Sequence, residues 1–259
     1  MEDILQLKGK NIVIMGVANE RSLAWGVAKT LHHAGAKLIY TYRKERSLKK
    51  LTSLLEKYNM DAELVVACDV SNDDSIEEAF NQIGEKAGQI DGIVHAIAFA
   101  HGEDLHGDFI NTSRSGYAFA QDTSAYSLIA VAREARRFLT DGSSIVTMSA
   151  LGAERVLDGY KVMGVAKAAL ESTCKHLALD LGESNIRINT VSAGPIRTLA
   201  AKGIPTFQKM LRDSKEKAPL KRNVTQEEVG NMTMMLLSPI SSGVTGEVLH
   251  VDAGYNIIG

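Results

Sequence analysis

The chain has 259 residues, 45% of them hydrophobic, with a net charge of -2 and two cysteines. That length and apolar content suit one large α/β domain or two small ones and exclude a disordered chain. The near-neutral balance supplies no drive toward nucleic acid or an acidic membrane, and no apolar run approaches the roughly 18–20 residues of a membrane span.

Met1-Glu2-Asp3-Ile4-Leu5 lacks the basic-then-apolar order of a secretory signal. Cys68 and Cys174 have no metal-type spacing and read as reduced core thiols, so the expected compartment is the cytoplasm.

Residues 11–15 form an apolar run stopped by Gly16 and predict a buried strand. Residues 22–34 carry helical spacing ended by Gly35, 37–42 predict a second strand, 46–58 a charged helix and 63–68 a third strand. The rhythm continues with a helix over 75–88, which Ser71 or Asp73 is placed to cap, and a fourth strand over 92–97. A longer helix is predicted around 120–139, a fifth strand over 144–148, a helix over 164–181, a sixth strand over 186–191 and a closing strand over 248–251. Met232, Met234, Met235, Leu236 and Leu237 fall at helical core spacing and read as packing.

Alternation of this kind requires right-handed crossovers, giving a doubly wound parallel sheet of the Rossmann type in a single domain, 1–259. The irregular segment 194–219 begins with Gly194-Pro195 after strand six and also holds Pro205 and Pro219, which predicts a lid over a ligand.

The first strand runs into Gly16-Val17-Ala18-Asn19-Glu20-Arg21-Ser22-Leu23-Ala24-Trp25-Gly26. A strand, a turn and a helix start present free amides to a pyrophosphate. Only two glycines, ten apart, stand where the usual fingerprint has three, and ordinary turn chemistry also accounts for Gly16. The second strand ends in Tyr42-Arg43-Lys44-Glu45-Arg46-Ser47. Arg43 and Lys44 suit the 2′-phosphate of NADPH better than the bare ribose of NADH; the alternative is a charged helix start on a solvated face. Asp69-Val70 after strand three is placed for the adenine edge or for a helix cap.

Tyr160 and Lys167 are seven residues apart at the start of an alanine-rich helix, close to two turns, which sets both on one face about 10 Å apart along the axis. A phenol can donate where negative charge develops on a carbonyl oxygen, and a nearby ammonium favours that donation. His95, His101 and His106 show no ligand spacing, so no metal site is expected. Ser149 reads either as a hydroxyl donor or as the end of a strand.

Together, Gly16-Val17-Ala18-Asn19, Tyr42 to Arg46, Ile97-Ala98-Phe99-Ala100, the Tyr160/Lys167 pair, Ser192-Ala193-Gly194-Pro195-Ile196-Arg197-Thr198 and Val244-Thr245-Gly246-Glu247 resemble bacterial enoyl-acyl-carrier-protein reductases of the short-chain dehydrogenase/reductase superfamily. The resemblance covers essentially the whole chain. It implies hydride transfer from NADPH, or NADH, to the β-carbon of a trans-2-enoyl thioester in fatty acid synthesis. It makes Tyr160 and Lys167 catalytic and Tyr160 and Ala100 substrate-contacting.

By the same resemblance Gly16, Ser22, Leu23, Arg43, Lys44, Glu45, Arg46, Ser47, Asp69, Val70, Ile97, Lys167, Ile196, Arg197, Thr198, Leu199 and Ala200 are cofactor-contacting. It also implies an acyl carrier protein partner and a cytoplasmic homotetramer.

Two departures stand out. Ala150 precedes Leu151-Gly152-Ala153 where the family places a second tyrosine, and Asp158-Gly159 replaces a more usual Pro-Asn before Tyr160. A related ketone or alcohol reductase, or a weakly catalytic NADP(H)-binding protein, are the competing expectations.

Overall fold

A computed structural model describes residues 4–258, apart from the side chain of Lys202; Met1, Glu2 and Asp3 of the N-terminal reading lie outside the described residues. Seven strands, β1 (Asn11–Met15), β2 (Lys37–Tyr42), β3 (Leu64–Ala67), β4 (Ile90–His95), β5 (Leu139–Ser149), β6 (Arg187–Ala193) and β7 (Val248–Val251), form one sheet in the order β3-β2-β1-β4-β5-β6-β7. Every neighbouring pair is parallel.

Among the described residues, eight α-helices accompany the sheet: α1 (Leu23–His33), α2 (Glu45–Tyr58), α3 (Asp73–Ala87), α4 (Arg114–Gln121), α5 (Ser127–Ala135), α6 (Lys161–Gly182), α7 (Phe207–Lys217) and α8 (Gln226–Leu237).

The two faces of the sheet follow from the two-residue period of a strand. Along β1, Val13 and Met15 enter one core with Phe80 of α3, Leu128 of α5 and Leu170 of α6. Ile12 and Ile14 enter the other with Trp25 of α1, Leu51 of α2 and Leu236 of α8. Burial on both faces explains why these strands read as continuous apolar runs rather than alternating ones.

The doubly wound parallel sheet is as expected, and several boundaries are not. The helix expected around 120–139 begins at Arg114, because Ser113 Oγ accepts from Gly116 N at 2.9 Å and caps it. A π-turn, Asp122–Tyr126, then separates α4 from α5. Leu139 belongs to β5, whose pairing is prepared by Ile90 N donating to Phe138 O at 2.9 Å. The cap of α3 is Asn72, which accepts from Ser75 N at 3.0 Å, rather than Ser71 or Asp73; Ser71 Oγ is drawn back to Asp69 Oδ1 at 2.7 Å. Segment 194–219, expected to be irregular, carries α7, because Phe207 and Leu211 are one turn apart and bury together against Ala201.

Helix α8 reaches into the ligand edge of the sheet. Its start is a capping box in which Thr225 Oγ1 accepts from Glu228 N at 3.2 Å and Glu228 Oε2 accepts from Thr225 N at 2.9 Å. The next residue, Gln226, donates to Ser22 O at 2.8 Å and so buttresses the turn between β1 and α1. Thr225→Ala is expected to cost about 1 kcal/mol of unfolding free energy, measured by urea denaturation.

Candidate active site

The expected site residues lie where strands end. Gly16 follows β1, residues 43–47 follow β2, Asp69 and Val70 follow β3, Ile97 and Ala100 follow β4, and residues 196–200 follow β6. Tyr160 and Lys167 arrive on the connection after β5. All therefore gather on the carboxyl edge, where chain order reverses between β1 and β4, the usual ligand crevice of an open parallel sheet.

Gly16 has φ 96°, and a Cβ there would stand 2.1 Å from Ala96 O, so only glycine lets β1 and β4 end side by side. Ser22 precedes α1 without capping it; its Oγ donates to Asn19 O at 2.6 Å instead. The first amides of α1, from Leu23 onward, consequently have no side-chain acceptor at the cap, the arrangement that receives an anion.

At the end of β2, Arg43 Nε donates to Asp69 Oδ2 at 2.8 Å. Asp69 Oδ1 is taken by Ser71, through N at 3.1 Å and Oγ at 2.7 Å, and these partners together with Arg43 hold the carboxyl below its ordinary value against the opposing effect of burial. Asp69 thus serves as the anchor of Arg43, whose two Nη atoms keep no partner among the described residues. Lys44 is the extended cap residue of α2, and Glu45, Arg46 and Ser47 form its first turn.

The segment after β4 is held by the π-turn. Ser124 Oγ receives Phe99 N at 3.1 Å and donates to Phe99 O at 3.2 Å. Ala100 packs with Leu105, Val162 and Met163 in a small apolar cluster beside the start of α6. Beyond β6, Thr198 N donates to Ile196 O at 2.8 Å and Thr198 Oγ1 accepts from Ala201 N at 3.1 Å, while Arg197 and Leu199 point outward.

Tyr160 is not part of a continuous two-turn helix with Lys167. It occupies the position before α6, and Lys161 has φ 42°, so the seven-residue spacing does not by itself align the pair. Packing does. A Cβ on Gly152 would stand 2.1 Å from Tyr160 Cδ1, and one on Gly164 would stand 2.7 Å from Gly152 O, so these two residues open the slot that receives the ring. Gly159, one of the two residues that depart from the family's Pro-Asn, is buried with φ 77°, a conformation that calls for glycine. Thr206 Oγ1 of the 194–219 segment donates to Asp158 O and closes the turn from the other side.

The phenol is partly buried and its hydroxyl has no partner among the described residues. Burial, and then the charge of Glu171, push its pKa up, so the free protein keeps it protonated.

Lys167 is 6% exposed and donates from Nζ to Met148 O at 2.6 Å. Burial pulls its pKa down to about 8, against the opposing pull of Glu171. Ser149 ends β5, and its hydroxyl proton is directed at Glu171 Oε1 at 2.5 Å rather than into the crevice. Glu171, the glycine pair and the Met148 carbonyl were not among the expected site residues; an acid one turn after Lys167 was the signal for the first.

The histidines stay apart. His95 is fully buried between Thr147 Oγ1 at 3.0 Å and Ser127 Oγ at 2.9 Å, and burial pushes its pKa down to about 3. His101 stacks on Phe119, and His106 Nδ1 lies 2.5 Å from Gly102 O. Among the described residues no group of three His, Cys, Asp or Glu side chains could hold a metal ion, and no helix is long and apolar enough to cross a membrane.

Comparisons with known proteins agree with this geometry. A family model described as enoyl-(acyl carrier protein) reductase matches residues 16–256. The chain is 54% identical over 255 residues to the NADPH enoyl-acyl-carrier-protein reductase FabI of Staphylococcus aureus, covering 98% of this chain and 100% of that one. It is 52% identical over 253 residues to the NADH FabI of Bacillus cereus, covering 98% and 99%.

Among solved structures, the Bacillus cereus enoyl-acyl carrier protein reductase with NADP+ and indole naphthyridinone superposes with a TM-score of 0.95 at 52% identity, 98% of each chain being covered. The Aquifex aeolicus enoyl-acyl-carrier-protein reductase (NADH) gives 0.93 at 44% identity, also over 98% of each chain. With a slot for one phenol, a buried ammonium and an uncapped helix start on one sheet edge, and with relatives this similar along nearly its full length, the chain belongs to the enoyl-acyl-carrier-protein reductase family.

Proposed function

We propose that this chain reduces trans-2-enoyl thioesters borne by an acyl carrier protein to saturated acyl thioesters, as a step of fatty acid synthesis, with NADPH as the preferred cofactor and NADH as the weaker one. The observation that carries the reading is a Tyr160 hydroxyl without a partner among the described residues, in its glycine-lined slot, together with the buried Lys167 ammonium, both on the connection after β5 at the edge where the strand order reverses. Residues 1–259 act as one reductase domain.

The crevice fits a nicotinamide dinucleotide phosphate. Gly16 leaves a cradle that any Cβ would fill, and the start of α1 offers amides to a pyrophosphate. Arg43, steadied by Asp69, keeps two Nη donors for a 2′-phosphate, a bidentate match that a bare ribose lacks. Lys44, Glu45, Arg46 and Ser47 complete the adenosine end, Val70 borders the adenine, and Ile97 with Ile196, Arg197, Thr198, Leu199 and Ala200 flank the nicotinamide half. The relatives themselves divide between NADH and NADPH, so residues 43–46 are where this chain's preference is decided.

When bound, the nicotinamide supplies a hydride to the β-carbon of the enoyl thioester. Negative charge then develops on the thioester oxygen, and Tyr160 Oη–H donates a hydrogen bond to it. Lys167 keeps positive charge beside that oxygen and has Nζ protons to spare for the ribose hydroxyls, since Met148 O takes one. A proton delivered to the α-carbon completes the saturated chain.

Ala100, Leu105 and Met163 form the apolar wall for the acyl chain. Segment 194–219 closes over it as a lid, supported by the Thr206 bond to the turn that carries Tyr160. Ala150 contributes no hydroxyl, which leaves Tyr160 as the phenol on which the step depends. Exposed Tyr117, Tyr126 and Ile129 on α4, the π-turn and α5 support a homotetramer, and the cytoplasm is the proposed compartment.

Purified protein with a crotonyl or longer enoyl thioester is expected to oxidise NADPH, followed by absorbance at the reduced nicotinamide band; background rates with both cofactors would sink the proposal. Tyr160→Phe is expected to lower kcat by on the order of 10²-fold or more. Arg43→Ala is expected to weaken NADPH by about tenfold or more and NADH little, read from initial rates with each cofactor.

The buried ammonium also leaves a mark on stability. Lys167 titrates at about 8 in the fold against 10.5 for a free lysine. The unfolded chain holds that proton longer as pH rises, so the native protein gains stability between about pH 8 and 10.5. Lys167→Met lacks this titration, and its stability relative to native is expected to fall by on the order of 3 kcal/mol from about pH 7 to 10.5, measured by urea denaturation.

A further inference from the structure

Glu171 is a carboxyl on α6 only 8% exposed, one turn after Lys167. Burying a carboxylate is costly unless something compensates it. Its hydrogen-bond partner is a serine hydroxyl, Ser149 Oγ at 2.5 Å, and burial pushes its own pKa up. A group held at that cost for packing alone would be replaced without loss by an apolar side chain.

The placement is specific. Consecutive residues at the end of β5 hold the two side chains of α6: Met148 O receives Lys167 Nζ, and Ser149 Oγ donates to Glu171 Oε1. The acid and the ammonium are thereby kept in fixed positions and act on each other through space.

The surroundings single out this acid. Lys167 is faced by His95 from β4, which burial keeps neutral, and by Glu171 on its own helix. Glu171 is faced by Lys167 and Lys175 on α6, by the protonated Tyr160 before α6, by the buried thiol of Cys174, by Glu154 in the turn after β5 and by His250 on β7. Glu154 and His250 satisfy each other at 2.6 Å, near the surface. Glu171 is thus the anionic group that opposes the effect of burial on Lys167.

We propose that Glu171, fixed by Ser149, is a positioning residue for the reduction: it keeps the Lys167 ammonium charged at the end of β5, where the reacting oxygen and the ribose need it. The role rests on the reductase reading above and extends the site one helical turn behind the tyrosine–lysine pair. Glu171 touches neither substrate nor cofactor; it acts through Lys167.

The test follows the Lys167 side chain by carbon NMR of lysine-labelled, cofactor-free protein, its signal assigned by its loss in Lys167→Met. The native midpoint is expected near 8. In Glu171→Gln, which keeps shape and an acceptor for Ser149, it is expected to fall by about one unit. The basic limb of the kcat/KM profile with an enoyl thioester is expected to move down by the same amount, because Lys167 loses its proton earlier as pH rises. Ser149→Ala, which weakens the carboxylate's support, is expected to give a smaller shift in the same direction and serves if Glu171→Gln does not fold.

A midpoint that stays in place in the folded variants overturns the inference while leaving the reductase reading intact. A native chain with no turnover fails the reductase reading itself, and the reaction role of Glu171 with it.

Discussion

Taking a lysine ammonium out of water at the end of a central strand is the constraint from which the rest of the site follows. The charge is useful only where water is scarce, since a low-dielectric pocket makes it felt by a nearby oxygen. The same scarcity draws Lys167 toward losing its proton. The protein answers with the Met148 carbonyl at 2.6 Å and a buried acid one turn on, so that a costly group is retained at the end of a central strand.

Around that charge the fold supplies rigid edges. β5 is the longest strand, and its last residues bond to the middle of α6, so strand end and helix move as one body. The slot for Tyr160 is cut by Gly152 and Gly164, whose backbones approach too closely for any larger residue. On the cofactor side, Gly16 does the same between β1 and β4, and Gln226 of α8 fixes the following turn through Ser22 O. Pre-set geometry of this kind places donors where charge develops without reorganisation during the reaction.

The two departures from the family pattern have different consequences. Gly159 adopts a left-handed conformation under Thr206 and belongs to a defined turn. Ala150 begins the short turn Leu151–Ala153, where Ala153 N donates to its carbonyl at 2.9 Å, so the missing ring leaves the backbone of that turn intact. The slot that receives the Tyr160 ring, cut by Gly152 and Gly164, survives the change.

Much was readable in the linear chain because the physics there is local. Apolar runs of five or six residues between helical stretches specify strands buried on both faces, and Gly16 after the first of them marks a turn at the sheet edge, so the parallel sheet was legible from pattern; most of the residues at its strand ends were named through the family resemblance. Boundaries set by distant partners were not: β5 starts early because Phe138 meets Ile90, and α7 forms because Phe207 and Leu211 find Ala201. Nor did seven-residue spacing align Tyr160 with Lys167, since Lys161 leaves the helical conformation and the ring is placed by a glycine pair twelve positions apart. The alternation of strands and helices and the parallel sheet class were determined by the sequence through local propensity and pattern; the order of strands in the sheet, the charge on Lys167, the anchoring of Arg43 and the place of Glu171 were decided only by tertiary structure, because pairing, burial and through-space fields depend on what the fold brings near.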